Sequence, residues 1–331
     1  MIITRTPLRI SFFGGGTDFP TWYENNGGGA VLSTTINKYC YISCRSLPPF
    51  FEYRHRISYS RQEQAAGIDD IMHPSVRETL RFMDIGTGLS VSYDGDLPAM
   101  SGLGSSSAFT VGLLHALYAL KGKMVSKKRL ALEAIHIEQE MIKEKVGSQD
   151  QVAAAFGGLN KIEFRAQHNI EVIPVTISRD DFVHLQDHFL LFFTGVTRSA
   201  SKIEEEKMEL LEDQKKNYKM LMSMVDDAFS ILSGERDLLE FGKLLHETWK
   251  LKKSLAPKVS NPYIDTIYET ARKNGAIGGK VLGAGGGGFM LFFVRPEKRE
   301  KVREALHFLL HVPFRFDGLG SQVVYYTEEA V

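Results

Sequence analysis

The chain has 331 residues, 43% of them apolar and 24% charged, and at roughly 150 residues per domain that length allows two domains with separate cores. Forty Lys and Arg balance forty Asp and Glu. A formal charge of zero argues against nucleic acid as the main partner, because gripping a phosphate backbone needs a basic excess or stripe. No apolar run approaches the ~20 residues of a membrane span, and the N-terminal MIITRTPLRI lacks the apolar core of a signal peptide, so the expectation is a cytoplasmic protein with no membrane partner.

Residues 2–13 and 30–46 read as strands, rich in Val, Ile, Tyr and Thr with partial alternation. Cys40 and Cys44 in the second lie about 13 Å apart at ~3.3 Å per strand residue, too far for a disulfide, and read as ordinary buried thiols. Strands over 50–60 and 89–93 flank a helix over 75–83. Residues 105–120, apolar nearly all round, predict a buried helix. Residues 126–143 predict an amphipathic helix capped by Ser126, and 149–155 a short third one ending at Gly157-Gly158. Strands follow over 160–164, 170–175 and 189–193. From 201 to about 255 the pattern is helical and charged, with Glu–Lys pairs at helical spacing that read as solvated faces. A helix over 261–273 precedes strand, strand, helix and strand over 276–282, 289–294, 298–310 and 321–326. The class is α+β, divided between Ser178 and His188 into a domain of residues 1–180 and another of 188–331.

The thirty glycines are clustered rather than scattered: 14–16, 27–29, 102 and 104, 157–158, and five of the six residues 283–288. Each cluster is short and borders an apolar segment, the signature of backbone that turns tightly or approaches something closely.

Four segments carry chemistry. Residues 98–108, PAMSGLGSSSA, open the buried helix with Gly102, Leu103, Gly104, Ser105, Ser106 and Ser107. A helix start offers unsatisfied N–H groups and the positive end of a dipole, and glycines let phosphate reach both. The chain contains no Gly-Lys-Ser/Thr triplet, which excludes a Walker A loop. Residues 9–18, RISFFGGGTD, end a strand in Gly14, Gly15 and Gly16 and deliver Thr17 and Asp18 at its tip. Asp18 there either caps the next helix or accepts vicinal sugar hydroxyls. Residues 147–151, GSQDQ, open a short helix with Asp150, twelve residues after Glu138; alone, Asp150 reads as a dipole partner. Residues 283–288 match G-x-G-x-x-G, but a strand follows instead of a helix and no acidic residue stands at the expected distance. The dinucleotide reading is therefore weak, and a strand–glycine loop–strand beside an active site fits better.

Taken in this order, the segments resemble those of the GHMP small-molecule kinases, a family that includes galactokinase, homoserine kinase and mevalonate kinase. The resemblance spans nearly the whole chain and rests on residues 9–18, 98–108 and 280–288, the middle motif being the most specific. It implies a ribosomal protein S5 domain 2-like N-terminal domain and a ferredoxin-like C-terminal domain. It further implies ATP bound by Gly102, Leu103, Gly104, Ser105, Ser106 and Ser107, and Mg²⁺ held by Ser106 and Glu138. Asp150 becomes the catalytic base with Arg9 facing it, and Gly15, Gly16, Thr17, Asp18 and Gly285 become sugar-binding residues.

Galactokinases read Gly-Glu-His-Thr-Asp where this chain reads Gly14-Gly15-Gly16-Thr17-Asp18. Two side chains that would crowd the sugar's outer carbons are missing, which makes room for a longer sugar. The strings at 5–23 and 36–45 look most like the branch of the family that phosphorylates heptose 7-phosphates at the anomeric hydroxyl. A phosphosugar needs a cationic receiver, and Arg198 and Lys202, one turn apart at a helix start, offer either that or a plain cap with solvent-facing cations. A similar string occurs in fucokinase domains, and a sugar sensor without turnover would keep the same loops, so both alternatives stay open. The sequence leaves monomer or homodimer undecided.

Overall fold

The computed structural model describes residues 1–196, 200–211 and 213–327. In chain order the first part holds β1 (Ile2–Phe13), α1 (Pro20–Tyr23), β2 (Gly29–Ser46), β3 (His55–Ser58), β4 (Gln62–Ala65), α2 (Pro74–Phe82), β5 (Leu89–Gly95), α3 (Ser105–Leu120), α4 (Lys127–His136), α5 (Gln149–Phe156), β6 (Leu159–Arg165) and β7 (Asn169–Pro174). The second holds α6 (Arg179–Asp187), β8 (Phe189–Phe193), α7 (Ala200–Glu209), α8 (Lys215–Ser230), α9 (Leu239–Leu255), α10 (Pro262–Lys273), β9 (Ala276–Val281), β10 (Phe289–Val294) and α11 (Arg299–Ala305). Three short strands close the chain: β11 (Leu310–His311), β12 (Phe316–Asp317) and β13 (Gln322–Tyr326).

Nine strands form one sheet, with β2 as its hub. Its 18 residues pair antiparallel with β1 along most of their length, with β6 over the first half and with β5 over the second. The β3–β5 pair is parallel and the other described pairs are antiparallel. The helix α3 lies on β1 and β2, and it comes close because Gly112 has no side chain: a Cβ there would stand 2.9 Å from Thr6 Oγ1. That burial on all sides is why the helix is apolar nearly all round.

The second sheet is four-stranded and antiparallel, in the order β11-β8-β10-β9. The helix α9 packs on it through Gly278, whose added Cβ would fall 2.0 Å from Gly242 O. The two parts share one apolar seam, in which Phe12 of β1 stacks on Phe189 of β8 at 5.1 Å and meets Phe241 of α9 edge-on at 5.5 Å.

Three expectations change. The strand expected over 50–60 shrinks to His55–Ser58, with the residues before it in turns after Pro48-Pro49. The helix expected over 126–143 is α-helical only to His136, and residues Ile137–Met141 widen into a π turn. The stretch assigned to a domain boundary contains α6, started by Ser178, whose hydroxyl accepts from Asp181 N.

The division at 180–188 also needs correction, because β12 and β13 leave the second part and pair with β2 and β1. Thr6 and Ser321 share a 2.8 Å hydrogen bond there, and Arg5 donates to Gln322 at 2.9 Å. A strand pattern is local, but the strand edge that completes it is supplied from across the chain.

Candidate active site

A cleft of about 590 Å³ opens between the two parts, and its walls bring together residues from all four chemical segments. Arg9 leaves the middle of β1, where its own N–H donates to Leu103 O at 3.0 Å, so the strand and the glycine-serine loop are tied backbone to backbone. Its guanidinium forks onto Asp150, with Nε donating to Oδ1 and Nη2 to Oδ2, each at 2.6 Å, while Nη1 donates to Gly102 O at 2.7 Å. A bidentate pair of this kind fixes orientation as well as charge. A Cβ on Gly104 would lie 3.2 Å from Asp150 Oδ2, so the acid adjoins the loop directly.

The start of α3 is built to be open. Gly104 is its N-cap in the left-handed region (φ 75°), and no side chain caps the helix. Ser105, Ser106 and Ser107 all line the cleft, Ser106 with an exposed side chain. The loop also relies on its counterpart in the second part. An added Cβ on Gly102 would stand 2.5 Å from Leu282 O, and one on Gly283 would stand 2.5 Å from Gly102 Cα. Both glycines have positive φ, so the two loops touch through bare backbone.

Glu138 projects from the π turn into the protein beside that helix start. It is fully buried; its Oε2 accepts from Ser107 Oγ at 2.8 Å and from Gln151 Nε2 at 2.5 Å, and its Oε1 has no partner. Burial pushes its carboxyl up to about 7. Of the pair expected to share a cation, Glu138 therefore stands with Ser107, and Ser106 faces the open cleft.

Asp18 lines the same cleft. Its Oδ1 accepts from Gly16 N at 2.8 Å and its Oδ2 from Gln149 N at 3.3 Å. Desolvation raises its carboxyl to about 6, and the nearby Asp150 charge adds to the rise. Gly147 covers it so closely that a Cβ would fall 1.9 Å from Oδ2. The two glycines ahead of Asp18 differ. A Cβ on Gly15 would meet nothing nearer than 3.8 Å, whereas one on Gly16 would strike Tyr218 at 2.6 Å. Only Gly15 leaves room in the cleft, because α8 fills the space over Gly16.

Three expected site residues lie away from the cleft wall. Thr17 is fully buried, with its hydroxyl donating to Gly14 O and Ala30 O, and it braces the loop. Leu103 is a core side chain that contributes its carbonyl to Arg9. Gly285 packs against Val259, and Gly283 and Ala284 face the cleft instead. Arg198 and the side chain of Lys202 lie outside the described residues.

Two lysines escaped sequence reasoning. Lys280 in β9 donates to Ser11 O at 2.9 Å and Phe12 O at 2.8 Å, bridging the two parts, and Lys252 in α9 donates to Val281 O at 3.0 Å and to Gly283 O. A lysine inside the otherwise uncharged strand AIGGKV was the available signal for the first.

The model of the GHMP kinases N terminal domain matches residues 60–158, and that of the GHMP kinases C terminal matches 227–311. The chain is 34% identical over 318 residues to the D-glycero-alpha-D-manno-heptose 7-phosphate kinase of Campylobacter jejuni, covering 92% of this chain and 93% of that one. The chain belongs to the GHMP kinase family. It is accordingly an ATP-dependent phosphotransferase. Galactokinase of Pyrococcus furiosus is 24% identical, with 92% of each chain covered. Among solved structures, a D-glycero-D-manno-heptose 1-phosphate kinase from Bacteroides thetaiotaomicron superposes with a TM-score of 0.78 over 99% of this chain and all of that one, at 24% identity. Lactococcus lactis galactokinase does so with a TM-score of 0.73 over 97% and 94%, at 19% identity. Both carry the same two-part α+β fold.

Proposed function

We propose that this GHMP kinase phosphorylates the anomeric hydroxyl of D-glycero-D-manno-heptose 7-phosphate, giving the 1,7-bisphosphate. The observation that supports the sugar is the missing side chain at Gly15, in the cleft that Asp18 and Asp150 also line, where a Cβ would meet nothing nearer than 3.8 Å. The near full-length relative that acts on such a heptose supports it.

Phosphoryl transfer asks mainly for positioning and charge neutralisation. In this reading the first-turn N–H groups of α3 and its positive dipole end hold the triphosphate of ATP, with Gly102 and Gly104 allowing the approach. Asp150 receives the proton of the anomeric hydroxyl, and the Arg9 fork holds that carboxylate in a single orientation while screening the transferring group. An anomeric hydroxyl is more acidic than an ordinary alcohol, which lightens the base's task. Asp18 accepts hydroxyls at the far side of the ring.

The donor set at Glu138 fits Mg²⁺: a hard carboxylate oxygen without a hydrogen-bond partner among the described residues, beside the Ser107 hydroxyl. Among the described residues no three His, Cys, Asp or Glu cluster as ligands, which suits an ion that keeps waters and phosphate oxygens. Glu138 and Ser106 would hold it, and when bound it neutralises charge on the triphosphate. Arg198 and Lys202 are assigned to the 7-phosphate from the sequence alone.

A coupled ADP-release assay over heptose 7-phosphate, free heptose, fucose, galactose and mannose tests this reading. It stands if the phosphorylated heptose gives the highest kcat/KM, and it falls if a free sugar does. Arg198→Ala should raise KM for the phosphosugar far more than for ATP.

A further inference from the structure

Two polar side chains at the cleft have no role in the chemistry above. Ser11, in β1, is buried at 7% exposure, lines the cleft, and its Oγ has no hydrogen-bond partner among the described residues. Gln149, at the start of α5, is buried at 9% exposure and also lines the cleft. Its side-chain amide is a hydrogen-bond partner of the Asp18 carboxylate, and its Oε1 has no hydrogen-bond partner among the described residues. Buried polar atoms are almost always paired, so two orphans on one wall need an explanation.

Their geometry supplies it. The position a Cβ would take on Gly15 is 3.8 Å from Ser11 Oγ and 3.8 Å from Gln149 Nε2, so both groups border the one open space in that loop. A substrate oxygen there is within reach of a hydroxyl that donates or accepts and of the amide's NH₂, which donates. The backbone of Ser11 is anchored from the second part by Lys280, which donates to Ser11 O and Phe12 O. Gln149 is held by its own N–H on Asp18 Oδ2.

We infer that Ser11 and Gln149 form a specificity-determining subsite that reads a hydroxyl of the sugar beyond the anomeric centre, in the space left by Gly15. The inference rests on the kinase reading above and extends it to residues outside the family's motif roles. Gly15 belongs to the same device: a side chain there would occupy the volume the sugar needs, and its backbone, which lies outside the left-handed region, would accept one.

The test compares wild type with Ser11→Ala, Gln149→Leu and Gly15→Ala in the ADP-release assay, over the same sugars and a set of mono-deoxy analogues of the best one. Melting temperature and KM for ATP serve as controls. Each of the first two variants should raise KM for the sugar about three- to tenfold, the weight of one hydrogen bond, with kcat and KM for ATP within about twofold. One deoxy analogue should be penalised by wild type and not by the variant lacking its partner. Unchanged sugar KM in both variants, with heptose 7-phosphate turned over normally, overturns the subsite and leaves the substrate reading intact. If wild type prefers a different sugar and the variants raise KM for that one, the subsite holds and the heptose reading falls. If the variants lower melting temperature and raise KM for ATP and sugar alike, their role is structural and the inference fails. No turnover of any sugar overturns both.

Discussion

Arg9 and Asp150 stand 141 residues apart in the chain and share two hydrogen bonds of 2.6 Å, while the same guanidinium holds Gly102 O at 2.7 Å. One side chain thus joins the proposed base to the loop proposed to hold the nucleotide. Replacing the carboxylate removes the proposed proton acceptor but leaves the loop's contacts with Leu282 and Gly283 in place. Asp150→Asn is expected to lower kcat by about 10³-fold, within the span of general-base effects, with KM for ATP changed less than threefold. Arg9→Lys cannot form the fork, so it should lower kcat without restoring an ordinary ATP affinity. Steady-state kinetics on both variants check this.

Glu138 is buried with one oxygen unpaired among the described residues, and burial, with a smaller push from the Glu144 charge, raises its carboxyl to about 7. Glu138→Gln keeps the shape and removes the charge that a cation needs. The expected outcome is a rise of about tenfold or more in the Mg²⁺ concentration for half-maximal activity, at unchanged or higher melting temperature. A Mg²⁺ titration at saturating ATP measures it, and an unaltered curve would remove Glu138 from the cation site.

Asp18 gives a pH signature. Its folded-state pKa is raised from 3.8 to about 6, so the folded protein holds a proton that the unfolded chain has released. Ionisation inside the fold is thus unfavourable. Stability from this group is present below about pH 4 and is lost as pH rises to about 6, by about 3 kcal/mol at ~1.36 kcal/mol per unit. In Asp18→Asn this loss disappears. Urea melts from pH 4 to 7 should show the difference between variant and wild type moving in the variant's favour up to about pH 6 and flat above it. A difference independent of pH would sink the argument. The same variant should bind sugar poorly, since one acceptor oxygen becomes an NH₂ donor and the charge is lost.

Glycine positions separate packing from chemistry. Gly147→Ala would drive a methyl to within 1.9 Å of Asp18 Oδ2, and sugar KM should rise at least tenfold while KM for ATP stays nearly constant. Gly102→Ala combines a positive φ of 87° with a contact 2.5 Å from Leu282 O. It should destabilise by about 1–3 kcal/mol and raise KM for ATP, because the two loops can no longer touch. Thermal melts with kinetics on both variants distinguish the two patterns.

Much of this protein is written locally. The span of β1, the buried helix Ser105–Leu120, the strand Phe189–Phe193 and the glycine clusters follow from periodicity and backbone freedom, which act over a few residues. The family motifs gave Arg9, Asp150, Glu138 and Asp18 as one site, and the structure brings Arg9 against Asp150 and sets Asp18 in the same cleft. The motifs could not separate residues that face the cleft from residues that brace it. Thr17 and Gly285 turned out to pack inward, and the free space fell to Gly15 alone because Tyr218 of a distant helix fills the neighbouring one. The helix α6 at residues 179–187, the π turn carrying Glu138 and the return of residues 316–326 to the first sheet were likewise invisible in the string. Local sequence sets which backbone shapes are cheap, whereas which atoms a side chain meets depends on segments a hundred or more residues away, and only folding brings those into contact.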